Sequence, residues 1–317
     1  MCGIKVARST LTTWVHRACA LLAPIYEAQL RHILLSKTLA MDETSIRAGP
    51  AKNKGKMKTA WYWPLYGEDD EVAFTFSPTH ARAHIDTILS TFNGTLLTDG
   101  APAYKRFARE HPELVHAQCW SHTRRVFLKA ETLEPEAVVQ ALALIGRLYE
   151  IETHIREHEF DAARTLAYRT EHALAGVDAF FAWCDAQCQR IELTPSNPLA
   201  TALQYARERE GALRVYLSDP TVAIDTNHLE RALRPIPMGR KAWLFCWTEV
   251  GAQYVGIIQS LVSTCRLHGV NPYTYLVDVL QRIALHPDSE VEQLTPRRWK
   301  SLFADNPLRS DVELATR

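Results

Sequence analysis

No run of about 18 apolar residues occurs in this chain, so nothing in it reads as a membrane-spanning helix. Its opening stretch, MCGIKVARSTLTTW, lacks the apolar core of a signal peptide, and the expectation is a cytoplasmic protein with no membrane partner. HExxH, Walker-type and G-x-S-x-G motifs are missing too, which leaves zinc-protease, ATP-driven and serine-hydrolase chemistry without support. An excess of one charge is also lacking: 36 basic residues cancel 36 acidic ones. That argues against a uniformly basic nucleic-acid binder, although a local basic face would vanish in such a sum. The seven cysteines are odd in number and scattered, which excludes a disulfide framework and suggests reduced thiols. Neither an internal repeat nor a low-complexity tract is visible.

What is present fits an ordinary folded chain. It has 317 residues, 47% of them apolar and 23% charged, enough for one large domain or two average ones. Residues 9–35 read as helical, with Ser9 or Thr10 as the cap and Pro24 as a break or a new first turn. The period then changes. KTLAMDETSIR (37–47) reads as a strand ending in acid, and GPAKNKGKMK (49–58) as a lysine-bearing loop. TAWYWPLYG (59–67) and EVAFTFS (71–77) read as a hairpin. Helix over 80–92, strand over 94–100, helix over 101–110, strand over 114–119 and helix over 120–130 follow. The order β-β-β-α-β-α-β-α predicts an α/β fold: a mixed sheet flanked by helices, with the first three strands as an antiparallel meander.

From 134 to 193 the pattern is almost purely helical, Val138, Leu142, Ile145 and Tyr149 repeating at helix spacing, and reads as a helical insertion. Five segments result: a helical N-terminal segment (1–36), a first part of the main domain (37–132), the insertion (133–196), the remainder of the main domain (197–260) and a helical C-terminal segment (261–317). Asn271-Pro272 marks a break within the last helical stretch.

Three acids stand out by position. Asp42 ends the first predicted strand, Asp99 ends the fourth, and Glu230 lies on a short helix stopped by Pro235. Open sheets place ligands at the ends of neighbouring strands. Two carboxylates brought close repel, and a divalent cation removes that conflict. All-oxygen ligands favour Mg²⁺ or Mn²⁺ over Zn²⁺, and a pair of such ions about 3.5–4 Å apart acts on phosphorus centres. Each acid also has a plainer reading. Asp42 fits a turn or edge residue, and Asp99 begins an Asp-Gly turn. For Glu230 the plainer reading is the better one from spacing alone: Asn227-x-x-Glu230 fits a capping box, and Arg234 is an i+4 ion-pair partner.

Other groups attract notice. Cys119 and His122 have half the spacing of a zinc site, with packing at a strand-helix junction as the better reading. Lys52, Lys54, Lys56 and Lys58 line the loop after Asp42, and Arg231, Arg234, Arg240 and Lys241 follow Glu230. Both sets suit phosphates, or simply a solvated surface. Trp243 and Trp247 interleave with the second set and could stack on unpaired bases, though a core role suits Trp243 equally.

Several stretches, in order, resemble the transposase family of bacterial insertion sequence 66: GIKVARSTLTTWV (3–15), LAMDET (39–44), LLTDGAPAY (96–104), CWSHTRRVF (119–127), DTNHLERALRPIPMGRKAWLF (225–245) and LHGVNPYTYLVDVLQRI (267–283). The likeness runs from about residue 3 to about residue 300, and the block around Glu230 is the most specific. The resemblance implies a ribonuclease-H-like fold with an Asp-Asp-Glu triad. Asp42, Asp99 and Glu230 are then catalytic and hold two Mg²⁺ (or Mn²⁺) ions, Asp42 bridging both. It places Cys119, His122 and Asn227 as structural neighbours of that site. It implies a DNA transposase that cuts and transfers strands, with element ends and target DNA as partners. Homo-oligomers, accessory proteins of the same element and a nucleoid-associated location are implied as well. The alternative is a truncated, inactive or regulatory relative that binds DNA or mixes with the full-length enzyme. The chain departs from the family pattern in three ways. It begins at what looks like the last piece of an N-terminal DNA-binding region that carries a zinc-binding module. Thr226 stands where Asn is usual. LFCWTEVGAQ (244–253) replaces a turn richer in Gly and Ser.

Overall fold

The structure, a computed structural model, describes residues 5–50 and 55–310. Those residues form an α/β protein that divides into two compact units. The first comprises residues up to Phe92 and from Leu229 onward; the second runs from Asn93 to His228. Among the described residues, no helix is long and apolar enough to cross a membrane.

The first unit opens with helix α1 (Arg8–Ile33), which runs straight through Pro24. The expected break does not occur because Leu22 and Ile25 flank the proline on one buried stripe with Cys19, Ala28 and Ile33. Burial of that stripe outweighs the lost N–H. The expected caps are also displaced. Ala7 is the N-cap and makes no side-chain bond, while the hydroxyls of Thr12 and Thr13 donate back to the carbonyls of Arg8 and Ser9.

Strands β1 (Thr38–Met41), β2 (Thr44–Pro50), β3 (Met57–Tyr66) and β4 (Val72–Ser77) follow, then a helix α2 (Ala83–Ile88) much shorter than the sequence suggests. The expected loop over 49–58 is smaller as well, since Pro50 still belongs to β2 and β3 begins at Met57. All pairings here are antiparallel: β3 takes β1 and β2 along one side and β4 on the other.

The second unit contains β5 (Thr95–Thr98), α3 (Pro102–Glu110), β6 (Val115–Gln118) and α4 (Trp120–Leu128), with β5 and β6 paired in parallel from Thr95↔Val115 to Thr98↔Gln118. Helices α5 (Pro135–Glu157), α6 (Ala162–Tyr168), α7 (Leu174–Cys188), α8 (Pro198–Arg207) and α9 (Glu210–Ser218) complete it, α6 and α7 being joined by a π-helical turn over Arg169–Ala173. Arg169 on that turn is buried and bonds both oxygens of Glu152 (2.7 and 2.8 Å) and the carbonyls of Tyr216 and Asp219. The buried charge therefore has a full set of acceptors.

Helix α10 (Asn227–Leu233) carries the chain back to the first unit, followed there by α11 (Pro235–Trp243), α12 (Glu249–Leu267), α13 (Pro272–Arg282) and α14 (Pro296–Phe303). Asn271 caps α13, its side chain accepting from the amides of Tyr273 and Thr274, so the predicted Asn-Pro break is a helix start. Helix α12 also covers the outer edge of β4. Its Ser260 and Thr264 hydroxyls accept from the amides of Phe74 and Val72 (2.8 and 3.1 Å), while Gln29 of α1 donates to the Val72 carbonyl at 2.8 Å. Two helices thus replace a missing strand and close an edge that would otherwise template association. Gly256 permits the approach, since a Cβ there would lie 2.7 Å from the Phe74 carbonyl oxygen.

Candidate active site

Asp42 sits in an interruption. The pairing of β1 and β2 with β3 counts without a slip, Ala40↔Tyr66 and Met41↔Leu65, then Thr44↔Tyr62 through Arg47↔Thr59. The two strands are one line of chain broken only at Asp42 and Glu43, which is why the sequence reads as a single strand over 37–47. Pro64 stands opposite the break. The Asp42 amide donates to the Pro64 carbonyl at 3.4 Å, and proline has no N–H to return. A rung is lost at the position of the acid, and the half-buried Asp42 turns Oδ1 to the Glu43 amide at 2.7 Å. Glu43 meets His80 at 3.3 Å, and that imidazole stacks on Trp63.

Asp99 follows β5 and makes a side-chain turn, with Oδ1 accepting from the Ala101 amide at 2.8 Å just before α3 begins. Gly100 has φ +77°, and a Cβ there would meet the Gln118 side chain at 2.5–3.0 Å. Gln118, at the end of β6, is buried, and its Oε1 has no hydrogen-bond partner. Tyr205 on α8 donates to the Asp99 carbonyl at 3.1 Å, and the Arg209 guanidinium lies 3.5 Å over the Tyr205 ring. Burial raises the Tyr205 phenol above its ordinary range, which keeps it a donor. Tyr205 and Gln118 carried no sequence signal, because they reach the turn only through tertiary packing. Pro64 did carry one, a proline inside an aromatic strand.

Glu230 is half-buried on α10. Asn227 already belongs to the helix, and its amide and side-chain nitrogen bond Asp225 at 2.9 and 2.5 Å. The residue before it, Thr226, donates from both its amide and its hydroxyl to the Cys119 sulfur at 3.3 and 3.4 Å. Cys119 is buried at the start of α4, and burial raises its thiol pKa. The Cys-x-x-His pair therefore lies at a junction where the thiol accepts from the entrance of α10.

Asp42 and Glu230 fall in the first unit and Asp99 in the second. Their donor chemistry, all carboxylate, suits a hard cation. Among the described residues, however, no three His, Cys, Asp or Glu side chains are gathered into a group that could hold a metal ion.

The predicted basic contacts differ in their surroundings. Lys52 and Lys54 lie outside the described residues. Lys56 is exposed in a loop, whereas Lys58 is on β3 and pairs with Glu249 at 3.2 Å. Arg231, Arg234 and Lys241 are exposed, while Arg240 donates to the Ser45 carbonyl and, at 3.0 Å, to its hydroxyl. Just beyond, Cys246 adds one parallel bridge to β2 at Ala48, its amide donating to the Arg47 carbonyl at 2.8 Å.

The pattern of the transposase IS66 family matches residues 1–254, and that of the IS66 C-terminal element matches residues 260–297. Two uncharacterized proteins of Sinorhizobium fredii (strain NBRC 101917 / NGR234), y4qI and y4hP, are 29% and 27% identical over 94% and 95% of this chain. The chain spans 57% and 58% of their lengths. Among solved structures, the Drosophila P element transposase strand transfer complex is similar at 12% identity and a TM-score of 0.26, over 98% of this chain and 83% of that one. That score is too low to support a shared fold.

Proposed function

The chain belongs to the IS66 transposase family, and on that premise we propose that it is a DNA transposase with a ribonuclease-H-like core. The observation that carries the reading is the family match over residues 1–254, which includes Asp42, Asp99 and Glu230. The succession of elements supports the fold: an antiparallel run of strands, then strands entered through helices with a parallel pair.

In the proposed reaction, water attacks the phosphodiester at an element end, the new P–O bond forms and the 3′-oxygen leaves with a proton. The freed 3′-hydroxyl then attacks a target phosphodiester, giving up its proton while the displaced target oxygen gains one. One bond forms as one breaks in each step, so no covalent protein intermediate and no external energy source are needed. Asp42, Asp99 and Glu230 are the residues that would hold divalent cations, Mg²⁺ or Mn²⁺. Such ions, when bound, supply positive charge to phosphate oxygens and make water a better nucleophile. The lost rung at Pro64 and the Asp99-Gly100 turn act locally on the two aspartates, and Glu230 is carried by α10. Exposed Arg231, Arg234 and Lys241 supply charge toward the DNA backbone, and assembly of copies on paired ends completes the proposal.

Nicking and strand transfer on end-containing DNA with Mg²⁺ test it. Asp42→Asn, Asp99→Asn and Glu230→Gln are each expected to abolish both activities with the thermal unfolding transition retained. Unchanged activity in one variant removes that residue from the site. A second reading is an idle relative that only binds DNA. Retention of end-containing DNA with no nicking by the unaltered chain selects it.

A further inference from the structure

Asp225 is buried, yet the proposed reaction gives it no part. It stands just before α10, in a segment laced to the start of α4. The Trp120 amide donates to the Ile224 carbonyl at 3.1 Å, and Thr226 donates twice to the Cys119 sulfur. Within that joint the Asp225 carboxylate serves two elements. Toward α10, it accepts from the amide and the side-chain nitrogen of Asn227. Toward α5, its neighbour is the buried hydroxyl of Tyr149. Burial first, and then the Asp225 carboxylate, raise the Tyr149 phenol above its ordinary range, so it stays protonated and able to donate.

A buried carboxylate is costly unless donors surround it, and the donors here are neutral: a backbone amide, a carboxamide and a phenol. An Asp-x-Asn turn on the surface would form without that cost. The helix it serves is short. Helix α10 has seven residues, too few to be stable in isolation, so its direction is set by what fastens it. Leu229 and Leu233 anchor one buried stripe. Asp225 fastens the first residue, Asn227, and Glu230 lies three positions further on, along the same side of the helix.

We propose that Asp225 is a positioning residue for Glu230: it fixes the entrance of α10 and, through Tyr149, makes the helical insertion a support of the proposed metal-binding carboxylate. The inference rests on the transposase reading and deepens it by giving the insertion a part in that site. Asp225 acts through the helix and touches neither DNA nor the reacting phosphorus. Groups that brace a metal-binding side chain from behind change metal affinity or activity by about 10- to 100-fold when removed, and that sets the size of the expected effect.

The test compares the full chain with Asp225→Ala, Asp225→Asn and Tyr149→Phe by two measurements. Hydrogen exchange in chelator reads α10 with no metal present. Nicking of end-containing DNA against Mg²⁺ concentration reads the site. Asp225→Ala should speed exchange of the α10 amides about 2- to 30-fold. It should also cut the nicking rate about 10- to 100-fold and raise the Mg²⁺ concentration for half-maximal nicking. Asp225→Asn keeps an acceptor for the Asn227 amide and should recover part of each. Tyr149→Phe removes one hydroxyl from the insertion and should move all three readings the same way, by about 2- to 10-fold. Faster exchange with nicking and Mg²⁺ requirement unchanged makes Asp225 a stabilising residue only, which overturns the inference and leaves the transposase reading standing. Lost nicking with α10 exchange unchanged puts Asp225 at the reacting centre itself and overturns it as well. A Tyr149→Phe chain equal to the unaltered one in all three readings removes the insertion from the support. No nicking by the unaltered chain removes this inference and the transposase reading together.

Discussion

The two aspartates of the proposed site are held by opposite means. Asp42 lies within a sheet, in a line of chain whose register holds on both sides of it, and its special environment comes from one bond that Pro64 cannot make. Asp99 lies beyond the end of a four-residue strand, in a turn whose shape depends on Gly100 and on side chains more than a hundred positions away, Tyr205 among them. The first arrangement is local and written in consecutive residues. The second is assembled by packing, so it should be the more easily broken.

Substitutions at the two places sharpen that contrast. The largest stability effect is expected from Gly100→Ala. It adds a Cβ at φ +77° against Gln118, and should destabilise the second unit by about 2 kcal/mol or more, read by urea unfolding with hydrogen exchange. A similar response is expected from acid. Burial depresses His84 in the first unit and His116 in the second to about 4. The unfolded chain takes up a proton near pH 6.5 and the folded one does not until about pH 4, so stability falls as pH drops through that window. The loss should be on the order of 1–2 kcal/mol for each, after allowance for partial exposure. His116→Gln should remove the loss in the second unit only, and equal acid sensitivity in that variant would discount the assignment. Tyr205→Phe should cost about 1 kcal/mol and slow nicking, since the turn loses a support behind Asp99. Pro64→Ala should change stability by less than about 1 kcal/mol, a gained ladder bond offsetting a looser unfolded chain. It should still lower nicking if the lost rung is what orients Asp42. Full activity in Pro64→Ala would mean that the break is incidental.

The same contrast explains what could be read in the residues beforehand. The hairpin of β3 and β4, the strand-helix alternation from β5 to α4 and the long helices after it follow from period and turn chemistry, and they lie where that reading puts them. The single strand expected over 37–47 is nearly right, since the pairing continues across its interruption. Pro24 was misjudged because a buried stripe overrides a proline's local preference, and Asn227, expected to precede α10, is its first residue, with its amide donating to Asp225. Lys58 and Arg240 looked like a phosphate-binding pair of surfaces, yet each has a partner within the first unit that no spacing rule announces. The three acids were legible as strand ends and a helix; what braces them was not, since Tyr205 and Gln118 are ordinary residues in ordinary helical and strand contexts.

The covered edge of β4 has a consequence for how the molecule is made. Phe74 waits for Ser260, 186 residues further along, and the intervening stretch contains the whole of the second unit. At about 5–20 residues per second of translation, roughly ten to forty seconds separate the emergence of the strand from that of its covering helix. During that interval the ribosome presents an unsealed edge, so slower elongation or loss of α12 should show first as nascent-chain aggregation.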